Sequence, residues 1–310
     1  MEKIPVGQTI SHAYSYLFKN FLTIIGIMWL PFAVMAGGAF LFGLASGDFS
    51  RAITETSTGT ANFARVWYLI LPFYVFAFML FFIQMDGITR HALGLRKSPI
   101  YFYFSLDKPV WRLAGAFLLF FLLMIAIIVV FVVGGILIGM AIAALTGVTP
   151  GKPPVAGAAG TAGVATAVVV IGLVAYCAFI YWMMRQSFLL TPTVVAEERI
   201  GLGRAWKLGR GNFWRMLIIT LAIVGPIALI FIVVMFKFLM PGLPPTAAQG
   251  ATTDQIAAWN AAYVARVHEY WYVLLPGYFL ILIAFYGLWC SAQAFAYRSL
   301  VPAEKAEDVF

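Results

Sequence analysis

Eight polar side chains lie where long apolar stretches of the sequence end, and their chemistry makes them the candidate site. They are Gln84, Asp86, Arg90, Arg185, Gln186, Glu197, Gln293 and Arg298. Such groups are costly in hydrocarbon, so each must face a partner or water. Two interpretations follow. In the first, which we favour, the side chains hydrogen-bond between helices and the arginines reach towards the interface. In the second, they meet on one axis, where Arg185 pairs with Asp86 or with Glu197.

Sequence motifs of known catalytic and metal sites are missing. The three histidines lie in different segments of the chain and predict no metal site. These are His12, His91 and His268. No H-E-x-x-H, G-x-S-x-G, Walker A or dinucleotide-binding motif occurs. We therefore predict no catalytic residue, no metal and no cofactor. The alternative is an enzyme within the membrane that uses Asp86, Glu197, Glu198 and the arginines.

The composition predicts an integral membrane protein. Of the 310 residues, 63% are hydrophobic and 10% are charged, whereas soluble proteins average about 25% charged. A helix needs about 20 apolar residues to cross a bilayer. Six stretches satisfy this, at about 21–45, 66–85, 113–145, 164–190, 216–240 and 270–292. We predict an all-α bundle of six transmembrane helices, forming a single membrane domain over residues 1–310.

The distribution of lysine and arginine predicts the orientation. With the N-terminus in the cytoplasm, fifteen of the twenty basic residues fall on the inner side, so both termini are expected there. A basic inner face beside an anionic leaflet accounts for the net charge of +8 without nucleic acid, which we exclude as a partner.

Basic residues also mark the segments that lead into the spans. Eight of them are predicted to contact lipid headgroups: Lys19, Lys108, Arg112, Arg199, Arg204, Lys207, Arg210 and Arg215. In residues 191–215, Arg204 and Lys207 share one helical face, and Leu202, Ala205 and Trp206 share the other. This pattern is typical of a helix lying in the headgroup layer. Alternatively, the charges only keep this loop in the cytoplasm.

Repeated patterns indicate a duplicated unit. Residues 67–74 read WYLILPFY and residues 271–278 read WYVLLPGY, with five of eight positions identical. Segments of similar pattern, a cation followed by an aromatic residue, precede the first, third and fifth spans. We predict three helical hairpins, each preceded by an amphipathic interfacial helix on the cytoplasmic side. Kinks are expected at four prolines within spans: Pro31, Pro72, Pro226 and Pro276.

The polar interval before the last span predicts a further helix on the outer side. Thr252 and Gln255 have the spacing of a capping box, and the apolar residues after them recur at helical spacing as far as Trp271. We expect this helix to lie on the outer interface or to cover the mouth of the bundle.

The stretch from Pro192 to Leu221 resembles a bacterial membrane-protein family. It reads PTVVAEERIGLGRAWKLGRGNFWRMLIITL, and is similar to the glycerophosphoryl diester phosphodiesterase membrane-domain family and the YciC-like multi-span proteins. The resemblance implies a bacterial inner-membrane location. It does not imply phosphodiesterase activity, because the 310 residues include no such domain. The matching positions are expected to be structural: Glu197, Gly201, Ala205, Trp206, Gly211, Asn212, Phe213 and Arg215.

These observations predict a non-enzymatic inner-membrane protein that is lipid-associated or accessory to a membrane process. Its expected partners are lipids of the anionic inner leaflet and a membrane protein. The alternative is a transporter that moves a lipid or small amphiphile through a central cavity between the hairpins. A polar-lined cavity that reaches Gln186 would favour transport, whereas a tightly packed core would favour the accessory role.

Overall fold

The computed structural model describes residues 2–45, 61–96, 102–146, 158–240, 242 and 252–301. These residues form nine α-helices, one π-helical turn and no strand. The helices are α1 (Val6–Lys19), α2 (Phe21–Ala45), α3 (Ala61–Ala92), α4 (Lys108–Thr146), α5 (Ala158–Ser187), α6 (Leu190–Glu197), α7 (Leu202–Leu208), α8 (Phe213–Val234) and α9 (Thr253–Leu300). The π-helical turn, Met235–Leu239, continues directly from α8.

Six segments of the described chain are long and apolar enough to cross a membrane, which confirms the predicted number. They are Phe21–Gly38, Leu71–Ala92, Lys108–Leu137, Val169–Glu197, Phe213–Leu239 and Asp254–Leu300. The four intramembrane prolines all lie inside helices, which continue through them. The bending expected at these prolines stays a prediction, as does the threefold hairpin repeat. The side chains of residues 67–70 in the WYLILPFY motif lie outside the described residues.

Helix α9 is longer than the predicted span. Its 48 residues cover about 72 Å at 1.5 Å per residue, more than twice the hydrocarbon thickness of about 30 Å. The capping box of Thr252 and Gln255 is present at its start, as predicted. The outer helix and the last span are therefore one continuous helix, rather than two elements meeting at Trp271.

The core forms around the C-terminal half of α9, which packs against α1, α2, α3, α6 and α8. Helix α1 contributes Ala13, Tyr16 and Leu17 to this core. Gly287 allows the close approach, because a Cβ atom there would lie 2.8 Å from the Leu17 side chain. The buried side of α1 thus packs on protein, and the interfacial position of this helix stays a prediction.

Helix α6 is a short helix that is buried on every side. All its residues from Leu190 to Ala196 are buried, and it contacts α3, α4, α5, α7 and α9. The first part of the stretch 191–215, which the sequence predicted to be interfacial, is therefore buried in protein. The sequence TPTVVA carries no charge, and the hydroxyl of Thr193 is bonded within the chain to the Leu189 carbonyl.

Burial is concentrated at one end of the bundle. We call this the polar end, because it contains Asp86, Glu197 and Arg298. Away from it, α4 and α5 have large apolar side chains exposed, and only 11% of each of their candidate spans is buried, against 44% for the span of α3. Exposed apolar surface of this extent requires hydrocarbon around it.

Substitution of Gly87 with alanine is expected to destabilise the fold. Its Cβ atom would lie 2.7 Å from the Tyr103 ring and 2.8 Å from Ile27, and both neighbours are buried. Overpacking of this kind costs about 1–3 kcal/mol. Thermal unfolding in detergent micelles measures the loss. The control is Gly172→Ala on α5, where a Cβ atom meets nothing within 4 Å and removing a helical glycine stabilises by up to about 1 kcal/mol. Equal stability of the two variants would contradict the packing described for α2 and α3.

Candidate functional site

The polar end gathers segments that are far apart in the sequence. The backbone N–H of Ile4 donates to Asn212 at 3.1 Å, and the guanidinium of Arg298 donates to the carbonyl of Leu93. Arg112, near the start of α4, pairs with Glu198 at 3.1 Å. Segments that the sequence assigned to the inner side are therefore in contact at this end.

Four groups of polar contacts, which we call ties, hold these segments together. The first tie is centred on Asp86 of α3, whose side chain is 2% exposed. Its carboxylate accepts hydrogen bonds from the Arg90 guanidinium at 3.0 Å and from the Tyr103 hydroxyl at 2.7 Å. Burial, followed by the negative charge of Asp86, raises the pKa of Tyr103, so the hydroxyl keeps its proton and remains the donor. Tyr103 precedes α4, so this carboxylate fixes the α3–α4 connection against α3.

The second tie is centred on Glu197, the last residue of α6. One carboxylate oxygen accepts from Arg199, with the shorter contact at 2.6 Å. The other accepts from Arg204 of α7 at 3.0 Å and from the Tyr297 hydroxyl of α9 at 3.2 Å. Glu198, in the left-handed conformation at φ 49°, turns the chain so that Arg199 returns to the carboxylate. This one side chain thus joins α6, α7 and α9.

The third tie joins the end of α5 to α7. The Arg185 guanidinium lies 3.7 Å from the centre of the Trp206 ring, and its Nε donates to the Trp206 carbonyl at 3.2 Å. The neighbouring Gln186 donates to the Leu202 carbonyl at 3.0 Å. The close contact depends on Gly209, since a Cβ atom there would lie 2.9 Å from the Arg185 carbonyl oxygen. The apolar side of α7 therefore packs on α5, not on lipid as the sequence predicted.

The fourth tie holds the N-terminal segment. Asn212 accepts from Ile4 and donates to the Glu2 carbonyl at 3.3 Å, and the Arg215 guanidinium donates to the Ile4 carbonyl at 2.6 Å. Ile4 is fully buried. Two residues of the RGNFWR motif thus bind backbone, in agreement with the structural role expected for that stretch.

The two charge pairs proposed for Arg185 do not form. Asp86 is bound by Arg90 and Tyr103, and Glu197 is bound within its own tie, so neither acid reaches Arg185. Gln84, Gln186 and Gln293 are all buried, yet no hydrogen bond joins them among the described residues. The Oε1 atom of Gln293 has no hydrogen-bond partner. The alternative interpretation, in which the polar side chains meet on one axis, is therefore supported by no hydrogen bond between these amides among the described residues.

Four of the eight predicted headgroup contacts have no partner within the described part of the chain. In the described part of the chain, the side chains of Lys19, Lys108, Lys207 and Arg210 are exposed and form no hydrogen bond or ion pair. The other four are bound within the protein: Arg112 to Glu198, Arg199 and Arg204 to Glu197, and Arg215 to Ile4. The predicted lipid-contacting set thus divides into internal ties and exposed cations.

Large apolar side chains stand beside the exposed cations. Phe18 is 75% exposed next to Lys19, Trp111 is 57% exposed one turn after Lys108, and Trp214 is 70% exposed one turn after Arg210. Aromatic and basic side chains in alternation are typical of the boundary between hydrocarbon and headgroups. These pairs surround the polar end of the bundle.

Away from the polar end, a cavity of about 410 Å³ lies between α9 and α8 with its π-helical turn. Its walls are apolar and aromatic and include Phe231, Phe238, Tyr270, Trp271 and Tyr278. Gln186 does not line it. This cavity therefore differs from the polar-lined central cavity that would have favoured transport.

Tyr103 and Tyr297 were not predicted from the sequence, and Asn212 was expected only as a structural position of its motif. The two tyrosines use their hydroxyls across 17 and 100 residues of sequence, and no local pattern marks them. Asn212 carried a signal, because an asparagine before a helix is a common capping residue, but its side chain is used on the N-terminal segment instead.

Within the described residues there is no group of three His, Cys, Asp or Glu side chains that could hold a metal ion. In comparisons with known proteins, no protein-family model, no curated protein and no solved structure matches the chain.

Proposed function

We propose that this is a non-enzymatic, lipid-associated protein of a bacterial inner membrane, accessory to a membrane process. Its polar end lies at the cytoplasmic leaflet, and its exposed cations bind anionic headgroups. The observation that carries the proposal is the division of the basic residues. Half of the predicted set is bound to partners within the protein, and three of the other four cations, Lys19, Lys108 and Arg210, stand beside exposed aromatic side chains.

The physical argument rests on the surface charge of membranes. A basic side chain near an anionic leaflet contributes about 1 kcal/mol of attraction. Lys19, Lys207 and Arg210 have no internal partner in the described part of the chain, so headgroup phosphates can bind them without breaking a bond of the fold. The neighbouring Phe18 and Trp214 supply the apolar surface that fixes the depth of these cations.

The test is a triple substitution, Lys19→Gln, Lys207→Gln and Arg210→Gln, compared with wild type in nanodiscs that contain phosphatidylglycerol and phosphatidylcholine. The lipids retained by the protein are counted by native mass spectrometry. We expect the preference for phosphatidylglycerol to fall about fivefold at each headgroup site, the equivalent of about 1 kcal/mol.

The matched control keeps the charges: Lys19→Arg, Lys207→Arg and Arg210→Lys should retain the wild-type preference. If the glutamine variant is folded and retains the same lipid ratio as this control, the proposed role of the cations is wrong. Arg204 is left unchanged, because it binds Glu197 and its loss would disturb the fold.

A second proposal is transport of a lipid or small amphiphile. It is supported by the apolar cavity between α8 and α9, whose walls suit an apolar chain. The position of Gln186 argues against transport, because its side chain is buried and donates to the Leu202 carbonyl. In proteoliposomes of verified folded protein, flux of a labelled phospholipid would support transport, and its absence would leave the accessory role. The family resemblance of residues 192–221, the hairpin repeat and the interfacial helices also stay predictions.

A further inference from the structure

The cavity between α8 and α9 has its charges at one end. Helices α8 and α9 run antiparallel: Arg266 donates to the Met240 carbonyl at 2.8 Å, and the Phe238 and Tyr270 rings are 5.8 Å apart. Lys237 precedes Phe238 and is exposed. Both cations therefore lie beside the mouth of the cavity, at the end of the bundle away from the polar end.

From this mouth the cavity extends along α9. Its lining on α9 begins at Tyr263 and continues to Ile281, a distance of about 27 Å at 1.5 Å per residue. One leaflet of hydrocarbon is about 15 Å thick, half of the bilayer core. The cavity is thus long enough for one acyl chain of a leaflet, and its volume of about 410 Å³ lies within the usual range for a small-molecule site.

Two local features keep the space open. Gly277 lines the cavity, and a Cβ atom there would meet nothing within 4 Å. The π-helical turn, Met235–Leu239, forms part of the opposite wall, and such turns often occur at functional sites in helices. Neither helix fills the gap with its own side chains.

We propose that this cavity binds one acyl chain of an anionic phospholipid, with its phosphate beside Lys237 and Arg266. The choice of an anionic lipid rests on charge complementarity. Two cations flank the mouth, and Glu269, on the same helix beside Tyr270, offsets only one of them. The Lys237 ammonium lies 5.8 Å from the centre of the Phe238 ring, and that ring lines the cavity. A positive charge therefore lies next to the apolar wall, which suits a ligand whose anionic headgroup adjoins an apolar chain.

This site goes beyond the proposed function, because it lies away from the polar end and uses none of its cations. The two proposals can therefore fail separately. The glutamine variant of Lys19, Lys207 and Arg210 should keep the lipid bound between α8 and α9, even if its lipid preference at the polar end is lost.

The test fills the cavity by substitution of Gly277 with leucine. The side chain enters open space, so the fold is expected to persist while the acyl chain is excluded. Gly172→Leu is the matched control, since it also adds a leucine at an exposed helical glycine without neighbours, outside the cavity. Native mass spectrometry with added phosphatidylglycerol measures retained lipid, and circular dichroism verifies folding.

We expect wild type and Gly172→Leu to retain one phosphatidylglycerol per chain, and Gly277→Leu to bind it at least about tenfold more weakly. Lys237→Gln should reduce the preference for phosphatidylglycerol over phosphatidylcholine about fivefold. Equal retention by the two leucine variants would overturn the site. Equal binding of both lipids by wild type would show bulk lipid only, and would overturn the headgroup assignment.

Discussion

Substitution of Asp86 with alanine is expected to reduce the free energy of unfolding by about 3–5 kcal/mol, the usual cost of breaking a buried ion pair on one side. The Asp86 side chain is 2% exposed, and its partner Arg90 is 25% exposed. Without the carboxylate, the Arg90 charge loses its counterion and the Tyr103 hydroxyl loses its acceptor. Denaturation by sodium dodecyl sulfate in mixed micelles measures the change.

The control for Asp86 is a double substitution that removes both charges, Asp86→Leu with Arg90→Met. Replacement of a buried pair by apolar side chains is often neutral, so most of the lost stability should return. An exposed ion pair gives the reference value for this comparison. The substitution Glu198→Gln, which breaks the contact to Arg112, should cost at most about 1 kcal/mol because Glu198 is 65% exposed. If Asp86→Ala costs no more than this, the buried tie is not a source of stability.

Substitution of Glu197 with alanine is expected to cost about 3 kcal/mol and to release α7 from its neighbours. Hydrogen bonds to charged groups contribute about 1.5–3 kcal/mol each, and two of them, from Arg204 and Tyr297, are partly buried. Arg199 is 68% exposed and should contribute little. Hydrogen exchange should show faster exchange in residues 198–208, together with lower overall stability.

Tyr297→Phe separates the two effects of Glu197. It removes one donor but leaves Arg204 bound, so we expect a loss of about 1.5 kcal/mol and unchanged exchange in α7. If the phenylalanine variant releases α7 as fully as the alanine variant does, Arg204 contributes nothing and the assignment of this tie is wrong.

The sequence predicted the spans well, because hydrocarbon imposes a length and a composition on every crossing segment. The six runs correspond to six described segments, and the capping box at Thr252 marked the start of α9. Local signals of this kind depend on residues within a few turns of one another. They therefore need no knowledge of the tertiary structure.

The partners of the polar side chains could not be predicted in this way. Asn212 binds the backbone of Ile4 across 208 residues, and Glu197 binds Tyr297 across 100. Packing decides such pairs, and a single sequence offers several equivalent candidates for each acid. The burial of α6 was easier to predict, since TPTVVA has no charged side chain and interfacial helices have a charged face.

The ties account for much of the charge found at the polar end of this bundle. Arg185 and Glu197 join separate helices at the polar end, Asp86 joins α3 to the segment before α4, and all three side chains are nearly enclosed. Their bonds leave the exposed cations as the groups available for an external partner. The proposed lipid association therefore relies on side chains that form no hydrogen bond or ion pair in the described part of the chain.

The most direct test of this account is native mass spectrometry of the wild-type protein and the variant with glutamine at positions 19, 207 and 210, each extracted gently from its own membrane. The account predicts that wild type retains anionic phospholipids above their share of the membrane, and that the variant loses most of this excess. Retention of lipids by wild type in the same proportions as the bulk membrane would contradict it.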